Sequence, residues 1–294
     1  MGAGTSFSIT VEGRVLTQKE YALEVCEETG LLRRTPTLSE EELAYYYAHN
    51  DWSMHCFPRL FPTERLLRKE LLAHLPPDAR VLDIGCGDGR LLNSLPGTVR
   101  KYGTELSAGA AQSAQAKNIS ILSHDTVVAG DHGLFDAIVL VDVFEHLREP
   151  HTFLSSLAAC LQPGGLIGIS TGDGDYCLQT SRPADFWYWR IPVHLCMMTD
   201  RYARYVEQHL GLERVSRRQS SHYPFDTKSW VMQFLQKLLF EFWHDRKHPW
   251  MAPWARLFSP ARRAQNWQTT PKYSYGRDHV VLIWRKELAA AQAH

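Results

Sequence analysis

The sequence predicts an α/β fold in which a mostly parallel β-sheet is wound with helices, with further helical segments before and after it. Three observations carry that expectation. Between Arg80 and Ser170, short β-rich runs alternate with helical stretches, the pattern of parallel βαβ units. One run, FDAIVLVD from Phe135, is nearly all apolar, as a strand covered on both faces must be. Another, VLDI from Val81, runs straight into glycines at 85, 87 and 89, more backbone freedom than an ordinary turn requires.

The elements follow in order. Residues 1–75 read as an N-terminal helical cap, with helix over most of Leu38–Leu75. TLSEEE is a cap followed by acids near a helix N-terminus, and Leu66, Leu67, Leu71, Leu72 and Leu75 recur at helical spacing. Residues 76–222 form the core. Strands are expected at Val81–Ile84, along VRKYGTEL to Glu105, at Ile119–Leu122, along FDAIVLVD, at Leu166–Ser170 and along LERVSRR. Helices are expected at Asp88–Ser94, Ser107–Ala116 with Ser107 as cap, Glu145–Leu161 and Thr199–Leu210. A loop at 172–198 interrupts the core. Residues 223–276 form a helical insertion with an amphipathic helix at Ser229–His244. Residues 277–294 supply a seventh strand, HVVLIWRK, and a frayed tail.

Composition narrows the class. Of 294 residues, 44% are hydrophobic and 22% charged, ordinary for a globular enzyme. Lys+Arg and Asp+Glu number 32 each, so no global basic field draws nucleic acid or an anionic membrane. The six cysteines are scattered without a CxxC pair, which argues against a disulfide framework or a zinc ribbon. Absence of a signal-peptide pattern and of a long apolar run leads us to expect a cytoplasmic protein without a membrane span. The leader MGAGTS matches the bare myristoylation pattern, a match short enough to arise by chance.

The glycine loop follows a strand and opens a helix, and Glu105 ends the next strand 20 positions after Gly85. An acid there accepts hydrogen bonds from both ribose hydroxyls of an adenosine group. The loop lacks the G-x-G-x-x-G spacing of dinucleotide sites, and Asp83 and Asp88 would face a pyrophosphate with like charge. The same acids suit S-adenosylmethionine (SAM), which carries a sulfonium and an ammonium and no phosphate.

VLDIGCGDGRLL resembles motif I of the class I SAM-dependent methyltransferases. VRKYGTELS, FDAIVLVDVFEHL and LQPGGLIGIS are similar to three further motifs, in family order over roughly residues 78–172. HLGLERV and DHVVLIWRK resemble the family's last two strands. The resemblance implies a Rossmann-like fold with a seven-stranded, mostly parallel sheet whose final strand is antiparallel, and SAM as cofactor. It implies that Asp83 orients the main chain at the methionine end and that Gly85, Cys86 and Gly87 wall the cofactor. Glu105 would hold the ribose, Leu106 pack on adenine, Asp125 accept from the adenine amino group, and Asp142 lie near the sulfonium. For Cys86, simple filling of space is the competing reading. Upstream, CEETGLLRRTPTLSEEELAYYYAHNDW resembles the segment preceding the core in bacterial methyltransferases of sugars and related metabolites. That group pairs two cysteines; here Cys26 remains and Thr29 replaces the second, so no metal is carried over. Tyr45–Tyr47 would close over SAM or pack the helix.

Ligands in open α/β sheets bind beyond the carboxyl ends of the strands. Two stretches lie there. Glu145 and His146 follow the fourth strand, as a catalytic pair, as packing beside the cofactor, or as part of a metal site for which no third ligand is evident. The loop 172–198 carries Tyr176, Trp187, Tyr188 and Trp189 as an acceptor wall or a clamp. Its VHLCMMTD resembles the His-Leu segment of similar methyltransferases, which makes His194 the candidate base. In the insertion, Trp230, Phe234, Leu238 and Phe242 share a helix face that packs on the core, borders an apolar acceptor site or meets a second copy in a homodimer. RLFSPARR is a basic spot suited to a substrate anion or to plain solvation. The expected activity is methyl transfer to an oxygen or carbon of a small acceptor, a sugar derivative or specialised metabolite. The alternatives are a macromolecular acceptor (RNA or protein) and a non-catalytic SAM-binding partner.

Overall fold

The computed structural model describes residues 7–11, 14–18, 20–49, 58–130, 133–180, 182–223, 226–244, 247, 249–251 and 277–288. Its centre is a seven-stranded sheet. In chain order these strands are β5 (Arg80–Ile84), β6 (Arg100–Thr104), β7 (Ser120–Ile121), β8 (Phe135–Val141), β9 (Leu161–Gly172), β11 (Leu212–Ser220) and β12 (His279–Lys286). Across the sheet the order is β11-β12-β9-β8-β5-β6-β7. Pairing is parallel from β9 to β7, while β12 runs antiparallel to both of its neighbours.

Period-2 alternation sends each strand's side chains to two cores. On β8, Ile138 and Leu140 face one core and Ala137 and Val139 the other; on β12, Val280, Leu282 and Trp284 part from Val281 and Ile283 in the same way. Helices α6 (Pro150–Ala159) and α8 (Asp200–Leu210) cover the first face. Helices α2 (Pro62–Leu72), α3 (Arg90–Asn93) and α4 (Ala108–Gln115) cover the second. Ser107 caps α4 by accepting from Ala110 N–H, and Thr199 caps α8 by accepting from Tyr202 N–H while donating to the Gly30 carbonyl.

The N-terminal segment differs from the expected helical cap. Strands β1 (Phe7–Val11) and β2 (Arg14–Gln18) form an antiparallel hairpin, and β3 (Ala22–Val25) pairs with β4 (Leu32–Thr35). A short β10 (Cys196–Met197) adds to β4, making a second, three-stranded sheet from residues more than 150 positions apart. Among the described residues there, only α1 (Glu40–His49) and α2 are helical. Nor is α2 a cap: Leu67 and Leu71 are fully buried in the main core, each burial worth about 1.5–3 kcal/mol. Glu64 reaches back from α2 to the Phe61 N–H at 2.6 Å and also binds Arg90 at the start of α3, so α2 is fastened to the glycine loop's helix.

The helix expected before residue 161 is also divided, into a 3-10 turn at Phe144–His146 and α6, with Pro150 opening the second piece. Short helices α5 (His124–Val128) and α7 (Gly174–Leu178) follow β7 and β9. In the insertion, α9 spans Thr227–His244, and Leu239 packs with Leu238 and Phe242 in a small cluster of its own rather than in the main cores. Trp230 remains 40% exposed. The MGAGTS leader, Cys56, Trp254, RLFSPARR and the tail beyond 288 lie outside the described residues. Among the described residues, no helix is long and apolar enough to cross a membrane.

Candidate functional site

Strand β5 delivers Asp83 to the carboxyl edge of the sheet, and the chain then turns with φ of 67° at Gly85, 56° at Gly87 and 75° at Gly89. Its backbone is stitched to the end of β6. Gly85 N–H donates to Thr104 Oγ1 at 3.2 Å, Cys86 N–H to the Thr104 carbonyl at 2.9 Å, and Gly87 N–H to Glu105 Oε2 at 2.8 Å. The other Glu105 oxygen, Oε1, accepts the Ser107 N–H at 2.7 Å. A Cβ on Gly87 would meet nothing within 4 Å, so this part of the loop faces open space. Beside it the apolar side chain of Leu106 is 84% exposed. Asp125 sits exposed in the first turn of α5, beyond the carboxyl end of β7. Cys86 is buried with its sulfur against Gly103, and burial raises its thiol pKa, so it fills space between loop and strand.

Asp83 is 2% exposed and its Oδ1 accepts no hydrogen bond. Burial pushes its carboxyl well above the usual range, with Glu64 and Glu105 adding and Arg90 opposing. Asp88, by contrast, is neutralised by Lys117, whose Nζ lies 2.7 Å from Oδ2 and 2.6 Å from the Asp88 carbonyl. Of the two acids expected to bear on a ligand, Asp88 is thus engaged by Lys117 and Asp83 is buried.

The neighbouring strand ends in Asp142, at a φ of 52° that non-glycine residues seldom adopt and that concentrates at functional sites. Its side chain is 32% exposed, but Oδ1 is enclosed and unbonded. Burial of that carboxyl, then the charge of Glu145, pushes it up to about 8, while His279 pulls the other way. Glu145 is itself 1% exposed. Its Oε2 accepts the Thr171 hydroxyl at 2.8 Å and its Oε1 the Tyr188 hydroxyl at 2.6 Å. Tyr188 in turn accepts the Gly172 N–H at 2.9 Å. His146 Nδ1 lies 3.1 Å from the Tyr47 hydroxyl and 3.0 Å from the Val193 carbonyl, and its ring stands 5.0 Å from that of His194. His194 Nδ1 is 3.0 Å from the Tyr188 carbonyl. A carbonyl only accepts, so Nδ1 carries the proton and Nε2 keeps the lone pair. Burial, reinforced by His146 and Arg34, holds this ring neutral well below its usual pKa.

Several expected acceptor residues are packing residues. Trp189 is fully buried, donates Nε1–H to Cys177 Sγ at 3.4 Å and lies beneath the Arg34 guanidinium. Arg34 also donates to the Trp189 carbonyl, so the aromatic stretch of the loop is the mortar between the two sheets. Tyr188 is 1% exposed, with its hydroxyl committed to Glu145 and Gly172. Tyr176 leans on Phe186 within the same cluster. Two of the four reach the cleft group: the Tyr188 ring stands 5.5 Å from His279, and the Trp187 ring 6.2 Å from His279 and 6.4 Å from Tyr223. The loop 172–198 is thus a built layer, closed at its start by Asp173, which accepts from Asp175 N–H, Tyr176 N–H, Gln219 and Arg217.

The structure adds residues that sequence inspection missed. His279 opens β12, and its ring stacks on His222 at 4.8 Å. Asp278 Oδ1 accepts the His222 backbone N–H at 3.2 Å and lies 3.2 Å from His279 Nδ1. Burial opposes a charged His279 ring, but Asp278, with Asp142 and Glu145, outweighs it and raises its pKa. Phe61 closes the group, 4.5 Å from His222. Among the described residues, two sets bring metal-ligand atoms within 4.8 Å: Asp142, His222 and His279, and Glu145, His146 and His194. The second supplies the third ligand that Glu145 and His146 lacked in the sequence.

The family model described as a methyltransferase domain matches residues 59–216. The chain belongs to this methyltransferase family. The matched range takes in the glycine loop, Glu105, Asp142, Glu145, His146 and His194; His222 and His279 lie beyond it. Among curated relatives, the ubiquinone biosynthesis O-methyltransferase of Albidiferax ferrireducens is 31% identical over 153 residues, covering 47% of this chain and 61% of that protein. The namesake from Xanthomonas axonopodis pv. citri is 28% identical over 109 residues, 33% of this chain and 44% of that one. The chain therefore spans less than two thirds of the length of these relatives. In fold, it matches a chain of the Haloferax volcanii complex between the Trm112 methyltransferase activator and a methyltransferase at a TM-score of 0.50 and 16% identity, covering 74% of this chain and 88% of that one. The methyltransferase donor, SAM, fits the residues present: an open glycine wall, an exposed leucine, and two buried carboxylate oxygens without partners.

Proposed function

We propose that this protein is a SAM-dependent methyltransferase that methylates an oxygen of a small acceptor. One observation supports this above the others. The Glu105 carboxylate is fixed by two backbone amides, from Gly87 and Ser107, beside a glycine wall with open space in front of it. Two accepted bonds leave the carboxylate with lone pairs to spare, which suits the paired hydroxyls of a ribose. Leu106 would pack on the adenine and Asp125 accept from its amino group. Gly85, Cys86 and Gly87 would form the wall, and Asp83 and Asp142 would supply carboxyl groups for the cationic end, whose charge favours their ionised forms. When bound, SAM supplies a methyl group already activated by its sulfonium.

The chain's task is alignment, together with removal of a proton when the acceptor is a hydroxyl. His194 would take that proton at Nε2, the nitrogen left free by its Nδ1 contact to the Tyr188 carbonyl. His146 stands against it, and Tyr47 from α1 reaches His146, so the N-terminal segment reports on the same site. Glu145, Thr171 and Tyr188 hold this layer in place. The O-methyltransferase names of the curated relatives favour oxygen over carbon as the acceptor atom. Equal numbers of basic and acidic residues favour a small acceptor over RNA. A sugar derivative or specialised metabolite is the class we favour, in the cytoplasm.

The test is transfer of labelled methyl from SAM into a metabolite extract and, in parallel, into total RNA and protein. Label in a small molecule supports the proposal; label confined to RNA or protein overturns its acceptor class.

A further inference from the structure

We infer that Asp142, His222 and His279 form a binding site for one divalent first-row transition cation on the acceptor side of the cleft. The three residues come from separate places. Asp142 follows β8, His222 follows β11 and His279 opens β12, and the register Ser220↔His279 sets the two histidines side by side. His222 Nδ1 lies 3.6 Å from Asp142 Oδ2, and His279 Nε2 lies 3.9 Å from Asp142 Oδ1. One donor atom from each falls within 4.8 Å of the other two. Tetrahedral coordination with bonds of about 2.0–2.2 Å spaces ligand atoms roughly 3.3–3.5 Å apart. The two histidine–carboxylate contacts, which end on different Asp142 oxygens, lie a few tenths of an ångström beyond that spacing, and no pair lies more than about an ångström and a half beyond it; side-chain rotation would close these gaps. Two imidazoles and one carboxylate are the donor set of open zinc and non-haem iron(II) centres, where the remaining positions take water or substrate oxygen.

Two further observations point to a ligand. The first is the carboxylate behind His279. Asp278 Oδ1 sits 3.2 Å from His279 Nδ1, an ion-pair contact outside hydrogen-bond alignment, and its charge favours the proton on Nδ1, leaving Nε2, 3.9 Å from Asp142 Oδ1, as the ligand atom. Metal-binding histidines carry this kind of carboxylate partner, which fixes their tautomer and orientation. The second is Asp142 Oδ1, an enclosed carboxylate oxygen that accepts no hydrogen bond. A cation between it and the two rings would satisfy it. The neighbouring set of Glu145, His146 and His194 is a poorer candidate, because both Glu145 oxygens already accept hydroxyls. The inference rests on the proposed function only for what the ion would touch, an oxygen of the acceptor; cation binding itself needs no methyl donor.

The test uses the metal-stripped full chain, titrated with Co2+ and followed by its visible ligand-field absorption and by calorimetry, with Zn2+ in competition. One Co2+ per chain, displaced by Zn2+, is expected. H222Q and D142N should each weaken binding at least tenfold, and D278N by roughly ten- to a hundredfold. Far-UV circular dichroism confirms that each variant is folded, and the wild-type cobalt titration stands whether or not a variant folds. No saturable Co2+ binding by the wild type, or equal affinity in folded H222Q and D142N, overturns the inference. SAM calorimetry on the same samples separates the two ideas. Donor binding without cobalt binding defeats the metal site alone, and cobalt binding without donor binding defeats the proposed function alone.

Discussion

Glu105 accepts the Gly87 backbone N–H at 2.8 Å, which ties the end of β6 to the loop that leaves β5. The bond means that the acid expected to hold a ribose also sets the shape of the wall beside it. Replacing Glu105 therefore removes a ligand contact and loosens the loop together.

The glycines of that loop should separate into two kinds. A Cβ at Gly89 would lie 2.2 Å from Ile119 Cδ1, at a φ of 75°, whereas a Cβ at Gly87 meets only open space at a φ of 56°. G89A should cost more than about 2 kcal/mol through strain and overpacking. G87A should cost about 1–2 kcal/mol from the left-handed backbone alone, yet reduce SAM affinity by narrowing the open wall. Thermal melts and donor calorimetry on both variants check this; equal melting temperatures would contradict the packing assigned to Gly89.

Tyr188 bridges the Gly172 N–H and Glu145. Y188F leaves a buried amide without its acceptor and Glu145 with one hydroxyl fewer, a loss of about 1–3 kcal/mol. The melting temperature should fall by several degrees, and turnover should fall more than donor affinity. An unchanged melt would show that the hydroxyl is not part of the scaffold.

His194 and Asp142 should give the metal-free protein opposite pH dependences. Burial holds His194 below its ordinary 6.5, so the unfolded chain takes the proton first as pH falls. Its contribution is complete above about 6.5 and is lost as pH drops below that value. Asp142 is pushed from 3.8 up to about 8, so the folded protein holds its proton more tightly. Its contribution is complete below 3.8 and is lost as pH rises towards 8. H194Q should flatten the acid side of the stability profile and D142N the alkaline side, read from melts at pH 5 and pH 9. Reversed slopes would contradict the burial assigned to either group.

As the proposed base, His194 acts on turnover. H194Q should lower kcat by about a hundredfold or more while leaving SAM affinity within a factor of a few. A rate equal to wild type removes His194 from the chemistry and directs attention to His279, whose ring is backed by Asp278.

Most of the central sheet was legible because strands covered on both faces are written as largely apolar runs, whether parallel or, like β12, antiparallel. Val81–Ile84, Phe135–Val141 and His279–Lys286 all read that way. Glu105 was legible through its spacing from the glycines. Strands Ala22–Val25 and Leu32–Thr35 were not, because both are short and carry charge, and the strand that completes their sheet, Cys196–Met197, is far along the chain. The aromatic stretch at 187–189 was ambiguous, since nothing local distinguishes a ring in a ligand wall from one packed between two sheets. His222, Asp278 and His279 carry no motif; only the antiparallel pairing of β11 with β12 brings them to Asp142.

A cleft between the glycine loop and Glu105 that takes a cationic, phosphate-free adenosine compound should distinguish SAM from a dinucleotide. Titration calorimetry of the full chain with SAM and, separately, with NAD measures that distinction. One SAM should bind per chain, NAD should give no heat, and E105A should lose at least about tenfold in SAM affinity, the size expected for hydrogen bonds to a charged group. Binding of NAD without SAM, or E105A binding SAM as tightly as wild type, would contradict it.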